Sequence, residues 1–267
     1  MMDLQIICNE ISELAKEAGC FIKNERTKIT TEDIEIKSKA SLVTYVDKSA
    51  EKLIVKKLHQ ILPEAGFITE EGTAGEKGEQ WKWIVDPLDG TTNFIHGMYP
   101  HSVSIGLVKN DTPVVGVIYE IGQDELFYAW EGGGAWLNGK QIQVSKSSKH
   151  EDVLLATGFP YYNFDIISQY LKLLEFFMLE TRGMRRIGSA AVDLAYVACG
   201  RFDGFFEHAL HPWDIAAGII IVKEAGGIVS DFNGGNNYLY GKEIIASNNN
   251  YYSEFFEKVN EFLGKVS

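Results

Sequence analysis

The sequence predicts one α+β domain, and three patterns along its 267 residues support that fold class. Apolar residues recur at helical spacing in two segments near the N-terminus, β-rich runs follow, and strand and helix patterns alternate toward the C-terminus. The lysine- and serine-rich stretch 145–150 joins the last two patterns and is too short to separate independent domains. We expect a single domain over 1–267 with subdomains of about 1–145 and 146–267.

Two amphipathic helices are predicted first. Apolar residues within 3–25 fall on one helical face, with acids and lysines between them. A similar pattern predicts a second helix from Asp47 to Leu62, which Pro63 ends. Asp47 is a candidate N-cap residue for this helix because its side chain can accept a backbone N–H.

Strand patterns dominate the middle of the chain. Short β-forming runs between Ser102 and Val144, separated by glycine-rich turns, predict an antiparallel meander. Beyond it, strands are expected at 153–159, 202–207, 227–232 and 243–248, and helices at 164–180, 189–198, 213–227 and 252–263.

Composition and charge restrict the class of protein. Hydrophobic residues make up 45% and charged residues 23% of the chain, which excludes general disorder. The 25 Lys and Arg against 37 Asp and Glu leave a net charge of −12, which argues against coating nucleic acid or an anionic membrane. Cys8, Cys20 and Cys199 suggest neither a disulfide framework nor a zinc site. With no candidate signal peptide or membrane span, we expect a cytoplasmic protein with no membrane partner.

The most informative motif is WIVDPLDGTTNFIHG at 83–97. Asp86 and Asp89 flank Pro87, which restricts the backbone between the two carboxylates. Two carboxylates that share a site repel each other unless a cation lies between them, and Mg²⁺ favours oxygen ligands. The alternative is a tight surface turn, since Asp, Pro and Gly all favour turns.

An anion site is predicted directly after these acids. Gly90, Thr91 and Thr92 offer successive backbone N–H groups and two hydroxyls. If a helix begins here, its first amides suit a phosphate group. Cation ligands beside an anion site are what metal-assisted phosphoryl chemistry requires.

Further acids occur in two other motifs. FITEEG at 67–72 carries Glu70 and Glu71 at the end of a predicted strand, where they could also be a solvated pair. WDIAAGIIIVKEAGG at 213–227 carries Asp214 at the start of an apolar helix. An acid in the first turn is favourable in any helix, but a buried acid needs a partner.

These motifs resemble the two signatures of the inositol monophosphatase family, which are Mg²⁺-dependent, lithium-sensitive phosphomonoesterases. SLVTYVD, ITEEG, RRIGSAAVDLAYVACGRFDGFFE and GGNNYLYGKEIIASNN extend the resemblance over nearly the whole chain in the family's order. The resemblance implies a layered αβαβα sandwich of the inositol monophosphatase and fructose bisphosphatase type, usually found as a homodimer.

The resemblance also implies a site. Its metal ligands, for two to three Mg²⁺ ions, fall on Glu70, Asp86, the carbonyl of Leu88, Asp89 and Asp214. Its phosphate-binding positions fall on Gly90, Thr91 and Thr92. Asp47 and Thr91 would orient the attacking water, with Glu70 as the third catalytic residue and no covalent intermediate. The functional reading of Asp47 is favoured here over the helix cap.

Substrate contacts implied by the resemblance lie elsewhere in the chain, at Gly188, Ser189, Ala190, Glu207 and the metal ligand Asp89. Arg185 and Arg186 could hold a second phosphate or pair with acids. Lys37 and Lys39 resemble a basic stretch near the site, and their roles stay open. The three motif histidines, His96, His101 and His211, are interpreted as structural.

The expected activity is hydrolysis of inositol monophosphate or a related small sugar phosphate. Alternatives within the same chemistry are a fructose-1,6-bisphosphatase, an NADP phosphatase and a bisphosphate nucleotidase. A non-catalytic regulator that binds RNA polymerase or RNA is an alternative of another class. The complete set of carboxylates argues against a protein that has lost its activity, and nucleic acid is not the expected partner.

Overall fold

The computed structural model describes residues 2–38, 41–75, 78–160 and 164–264. Its helices are α1 (Leu4–Glu25), α2 (Tyr45–Ile61), α3 (Thr91–Ile95), α4 (Ile167–Glu180), α5 (Ala190–Ala198), α6 (Pro212–Glu224), α7 (Tyr238–Gly241) and α8 (Tyr252–Leu263). Its strands are β1 (Ile34–Ser38), β2 (Ser41–Thr44), β3 (Gly66–Thr69), β4 (Trp81–Asp89), β5 (Ser102–Lys109), β6 (Thr112–Glu120), β7 (Glu125–Trp130), β8 (Ala135–Leu137), β9 (Lys140–Ile142), β10 (Leu154–Thr157), β11 (Gly183–Arg185), β12 (Gly204–His208), β13 (Ile228–Ser230) and β14 (Glu243–Ser247).

Two large sheets organise these strands. The seven-stranded sheet has the order β3-β4-β5-β6-β7-β8-β9, and every neighbouring pair from β4 onward is antiparallel, which confirms the predicted meander. The five-stranded sheet has the order β11-β10-β12-β14-β13. There β10 runs parallel to β11 and β12, while β14 runs antiparallel to β12 and β13. A separate antiparallel pair, β1 with β2, completes the strands.

The helices form three layers around the two sheets. Helices α1 and α2 pack on one face of the seven-stranded sheet, and α5 and α6 fill the space between the sheets. Helices α4 and α8 cover the outer face of the five-stranded sheet. This arrangement confirms the α+β class and the layered αβαβα sandwich.

Helix α6 approaches the seven-stranded sheet closely. A Cβ atom at Gly116 on β6 would lie 2.4 Å from the backbone oxygen of Ala217, so only glycine fits beneath the helix. Gly106 on β5 is similarly close, at 3.0 Å from the Cβ of Ala216. The absence of side chains here allows the start of α6 to reach the end of β4.

Most predicted elements are confirmed, with shifts of a few residues at their ends. One local interpretation was wrong. The N-cap of α2 is Thr44, whose hydroxyl accepts from the N–H of Val46, and Asp47 is the third residue of the helix. Cys8 is buried, Cys20 exposed and Cys199 intermediate, all as free thiols. Among the described residues, every helix is too short or too polar to cross a membrane.

Candidate active site

The DPLD segment is the end of a buried strand, so its alternative interpretation as a tight surface turn was wrong. In β4, Asp86 lies opposite Ser104 and Asp89 lies opposite Ser102 of β5. A separation of three residues on β4 therefore pairs with a separation of two residues on β5. Residues three apart on a regular strand point to opposite faces. The extra residue at this bulge lets both carboxylates point to the same side.

Three aspartates meet at this bulge. Carboxylate oxygens of Asp86, Asp89 and Asp214 lie within 4.8 Å of one another. We call these three residues the clustered aspartates. Asp214 joins them because it is the third residue of α6, the helix that packs closely on β5 and β6.

Each clustered aspartate has one oxygen held by a backbone N–H. Asp86 Oδ1 accepts from Leu88 N at 2.9 Å, and Asp214 Oδ2 accepts from His211 N at 2.7 Å. Asp89 Oδ2 accepts from Ala191 N at 2.8 Å and from Ser189 Oγ at 2.6 Å, at the start of α5. Backbone donors therefore fix the orientation of all three carboxylates.

Burial disfavours the charged forms of these acids. It raises the pKa of Asp89 to about 6 and the pKa values of Asp86 and Asp214 well above the ordinary range of an aspartate. Repulsion from Glu70 and Asp89 raises the pKa of Asp86 further. A divalent cation would relieve both penalties, and a set of carboxylate oxygens suits a hard cation such as Mg²⁺. The residues present therefore fit a magnesium site.

The other two predicted metal ligands lie beside this cluster. Glu70 follows β3, and its N–H donates to Val85 O at 3.2 Å, which extends the pairing with β4. Its carboxylate is close enough to repel Asp86 and Asp214 but is not within the 4.8 Å group. The carbonyl of Leu88 accepts from Thr91 Oγ1 at 2.9 Å.

Helix α3 begins just after the second aspartate of β4, which is the condition that the predicted anion site required. Its N-cap is Gly90, with φ 88°, a left-handed conformation that favours glycine. A Cβ at Gly90 would also lie 3.0 Å from Pro100 O. Thr91 is half-buried and Thr92 exposed at the start of the helix, where backbone N–H groups lack intrahelical partners.

Asp47 has two roles at once, one for each oxygen. Its Oδ2 accepts from Thr44 N at 2.8 Å and from Thr44 Oγ1 at 2.7 Å, which forms a capping box at the start of α2. Its Oδ1 accepts from Thr91 Oγ1 at 3.0 Å. Asp47 therefore accepts hydrogen bonds both from the N-cap residue of α2 and from Thr91, and its favoured catalytic role stays a prediction.

The predicted substrate wall lies at the start of α5 and on β12. Gly188 has φ 89°, and Ser189 is the N-cap of α5. Glu207 on β12 is half-buried, and burial raises its pKa to about 8. A Cβ at Gly158 would lie 1.8 Å from Glu207 Oε1, so the carboxyl group of Glu207 occupies the space of the missing side chain.

The sequence did not assign a role to two pairs of basic residues, Arg185 with Arg186 and Lys37 with Lys39. The guanidinium of Arg186 lies 5.7 Å from the ring centre of Phe159. Its positive charge lowers the pKa values of Asp193 and Glu207 and so offsets part of the increase that burial causes. Arg185 is exposed and donates to Met184 O. The side chain of Lys37 and all of Lys39 lie outside the described residues.

The motif histidines lie beside the site. His101 is buried, and its Nδ1 is 3.1 Å from Met98 O. Burial lowers its pKa to about 4. The ring of His211 stacks on Trp213 at 4.5 Å, and His96 follows α3 as its C-cap.

Sequence reasoning missed three residues near the site: Glu51, Gly158 and Asp193. Glu51 occurs four residues after Asp47, on the same face of the predicted helix, which was an available signal. Asp193 is an acid within an apolar helix, and its Oδ1 is buried without a hydrogen-bond partner among the described residues. For Gly158 we find no signal in the sequence.

The chain belongs to the inositol monophosphatase family, whose model matches residues 3–263. It is 40% identical over 243 residues to an inositol-1-monophosphatase of Mesorhizobium japonicum, with 91% of each chain covered. It is 44% identical over 236 residues to the Nus factor SuhB of Escherichia coli K12, with 88% of each chain covered.

Solved structures agree with this assignment. The extragenic suppressor protein suhB of Bartonella henselae matches with a TM-score of 0.90 and 41% identity, covering 96% of this chain and 99% of that one. An IMPase of Thermotoga maritima matches with a TM-score of 0.85 and 36% identity, covering 94% of this chain and 96% of that one. The family and the fold together support a phosphatase of the inositol monophosphatase type.

Proposed function

We propose that the protein is a Mg²⁺-dependent phosphomonoesterase that hydrolyses inositol monophosphate or a related small sugar phosphate, without a covalent intermediate. The observation that carries this proposal is that the clustered aspartates lie directly beside the start of α3. A cation held by the carboxylates and the first N–H groups of α3 would together receive one phosphate group.

The metal ligands in this proposal are the clustered aspartates, Glu70 and the carbonyl of Leu88, for two to three ions. Bound Mg²⁺ would lower the pKa of a water molecule and neutralise charge on the phosphoryl oxygens. Backbone N–H groups hold one oxygen of each clustered aspartate, so the carboxylates are oriented before a cation binds.

The water-orienting group in this proposal is Thr91, supported by Asp47. Thr91 Oγ1 has one hydrogen and two nearby acceptors, Asp47 Oδ1 at 3.0 Å and Leu88 O at 2.9 Å. Its hydrogen is thus directed into the protein, which leaves lone pairs of Oγ1 to accept a hydrogen bond from water. Gly90 and Thr92, the proposed phosphate-binding positions, are the chain neighbours of Thr91, so a water held by Thr91 would lie next to them.

Recognition of the alcohol part is assigned to Gly188, Ser189, Ala190 and Glu207, with Asp89 shared between metal and substrate. A carboxyl group binds hydroxyls well, which suits a polyol. The raised pKa of Glu207 means that this group can also donate a hydrogen bond near neutral pH.

Phosphate release tests this assignment. Inositol 1-phosphate, fructose 1,6-bisphosphate, NADP and adenosine 3′,5′-bisphosphate are compared with Mg²⁺ present and with EDTA. We expect Mg²⁺-dependent hydrolysis with the highest kcat/KM for inositol 1-phosphate. A preference for a nucleotide would move the assignment to an NADP phosphatase or a nucleotidase, and hydrolysis of none of the four would refute it.

The relatives named Nus factor SuhB support a second candidate, a regulatory protein that acts by binding RNA polymerase or RNA. This candidate predicts that a variant without phosphatase activity still binds its partner. Size-exclusion chromatography of the purified protein with purified RNA polymerase tests it directly. Migration of the two proteins as separate peaks would reject binding to the polymerase.

Three further properties of the proposed enzyme stay predictions: a homodimer, a cytoplasmic location and inhibition by lithium. Light scattering gives the mass in solution, to be compared with the 29.9 kDa chain. Lithium titration at fixed Mg²⁺ tests the third property.

A further inference from the structure

Glu51 is a buried acid of α2 whose two oxygens hold the segment that carries Glu70. Its Oε1 accepts from Thr69 Oγ1 at 2.9 Å and from Thr73 N at 2.7 Å. Its Oε2 accepts from Glu71 N at 2.8 Å. The side chain has no exposed surface, so these bonds form away from water and are strong.

These bonds bracket Glu70 on both sides. Thr69 and Glu71, its two chain neighbours, are both tied to Glu51, and the N–H of Glu70 donates to Val85 O. The backbone at Glu70 is therefore attached to α2 and to β4. Helix α2 packs on β4, the strand that carries two of the clustered aspartates.

Such a support is needed because Glu70 lies among like charges. Its carboxylate repels Asp86 and Asp214, as the raised pKa values of both indicate. A segment without other attachments would relieve this repulsion by moving outward. The bonds to Glu51 oppose that movement, so Glu70 stays close to the cluster before any cation is bound.

The same helix also supports Thr91. Asp47 and Glu51 are one helical turn apart on α2 and therefore lie on the same face. Asp47 binds Thr91, and Glu51 binds the segment of Glu70. One rigid face of α2 thus sets the distance between the proposed water-orienting hydroxyl and a proposed metal ligand.

We propose that Glu51 is a positioning residue for cation binding, which acts by holding Glu70 toward Asp86 and Asp214. This inference rests on the proposed function only in taking Glu70 as a ligand for Mg²⁺. Glu51 itself contacts neither cation nor substrate, because its oxygens are occupied by donors of the segment 69–73.

Glu51→Gln tests this role with little change in shape. Glutamine offers one acceptor oxygen and an NH₂ group, so at least one of the three donors would face another donor. We expect the Kd for Mg²⁺ to rise about 10–100-fold, as for other losses of a ligand's support. Isothermal titration calorimetry of the metal-free protein with MgCl₂ measures this without relying on activity.

Asp231→Asn is the matched control. Asp231 is also buried and accepts from three backbone N–H groups, those of Asn233, Gly235 and Asn237, in the loop after β13. Its loss should lower the melting temperature and leave the Kd for Mg²⁺ unchanged. An unchanged Kd in Glu51→Gln, or an equal rise in both variants, would overturn the inference.

A milder variant covers the case in which Glu51→Gln does not fold. Thr69→Val removes one donor to Glu51 at a half-buried strand position, where valine fits well. We expect the Kd for Mg²⁺ to rise by a few fold, and an unchanged Kd would overturn the inference. If the wild-type protein binds Mg²⁺ but hydrolyses none of the four phosphate esters, the proposed function fails while this test still stands.

Discussion

Two groups of acids in this protein are stabilised in different ways. Each of the clustered aspartates, Asp86, Asp89 and Asp214, has one oxygen bonded to a backbone N–H. Asp193 and Glu207, which we call the carboxyl pair, repel each other. Asp193 Oδ1 has no hydrogen-bond partner among the described residues, and Glu207 rests against a glycine backbone.

The difference concerns the charge state in which each group acts. N–H donors favour the ionised form of a carboxyl group, so they favour the charged form of the clustered aspartates that a cation would bind. Among the described residues, no backbone N–H donates to the carboxyl pair. Burial raises the pKa of Glu207 to about 8 and that of Asp193 well above its ordinary range, and the charge of Arg186 only partly offsets this. We therefore expect the first group to act ionised and the second to hold at least one proton at neutral pH.

The largest expected effect comes from Asp89→Asn. The amide keeps an oxygen for Ser189 and Ala191 but removes the charge that a cation requires. We expect kcat for inositol 1-phosphate to fall about 10²–10³-fold or more, with the circular dichroism spectrum unchanged. Activity close to that of the wild type would mean that the cluster need not be charged.

Gly158→Ala should have the next largest effect, on substrate binding. An added methyl group would displace the carboxyl group of Glu207, so KM for inositol 1-phosphate should rise about tenfold. The kinetics with p-nitrophenyl phosphate, which has no polyol, should not change. Adding Glu207→Asp, shorter by one methylene, should partly restore KM.

Gly75→Ala is the control for this variant. No atom of the described residues lies within 4 Å of a Cβ atom at Gly75, and its φ is not in the left-handed region. Equal rises of KM in the two alanine variants would contradict the role of Gly158, as would a rise with both substrates.

The pH dependence should also separate the two groups. Some carboxyl groups have a higher pKa in the folded than in the unfolded protein. At pH values between these two pKa values, such a group is more often protonated in the folded protein. The unfolding free energy of the metal-free protein should thus decrease as pH rises from about 4 to about 6 through Asp89, and on to about 8 through Glu207. Each pKa unit corresponds to about 1.4 kcal/mol, so the two groups together should lower the unfolding free energy by several kcal/mol.

Mg²⁺ should remove part of this pH dependence. Cation binding needs ionised carboxylates, so stabilisation by 10 mM MgCl₂ should be large at pH 8 and small at pH 5. Urea denaturation with and without Mg²⁺ across this range measures both effects. Equal stabilisation by Mg²⁺ at both pH values would place the cation away from the clustered aspartates.

Asp193→Asn should have the smallest effect. An amide at this position has no charge to bury and removes the repulsion between positions 193 and 207, so we expect a gain of about 1 kcal/mol in unfolding free energy at pH 8. Phosphatase activity should change less than threefold. Loss of activity as large as in Asp89→Asn would show that the carboxyl pair also acts ionised, which would end the contrast between the groups.

The local features of the site could be predicted from the sequence. Helical periodicity located α1 and α2, and the acids of DPLDGTT indicated a cation site, because side-chain chemistry and short spacings are local properties. Asp214 was assigned to that site only through the family resemblance. The direction of the side chains on β4 could not be predicted. It depends on a bulge whose register is defined only by pairing with β5.

The sequence by itself determined which groups exist: the carboxylates, the glycine and threonines at the start of α3, and the order of helices and strands. Only the tertiary structure decided which groups meet. Asp214 reaches Asp86 because α6 packs closely over Gly116, and Asp47 serves both α2 and Thr91 because α2 lies against β4. These contacts join residues far apart in the chain, and such contacts follow from packing rather than from local spacing.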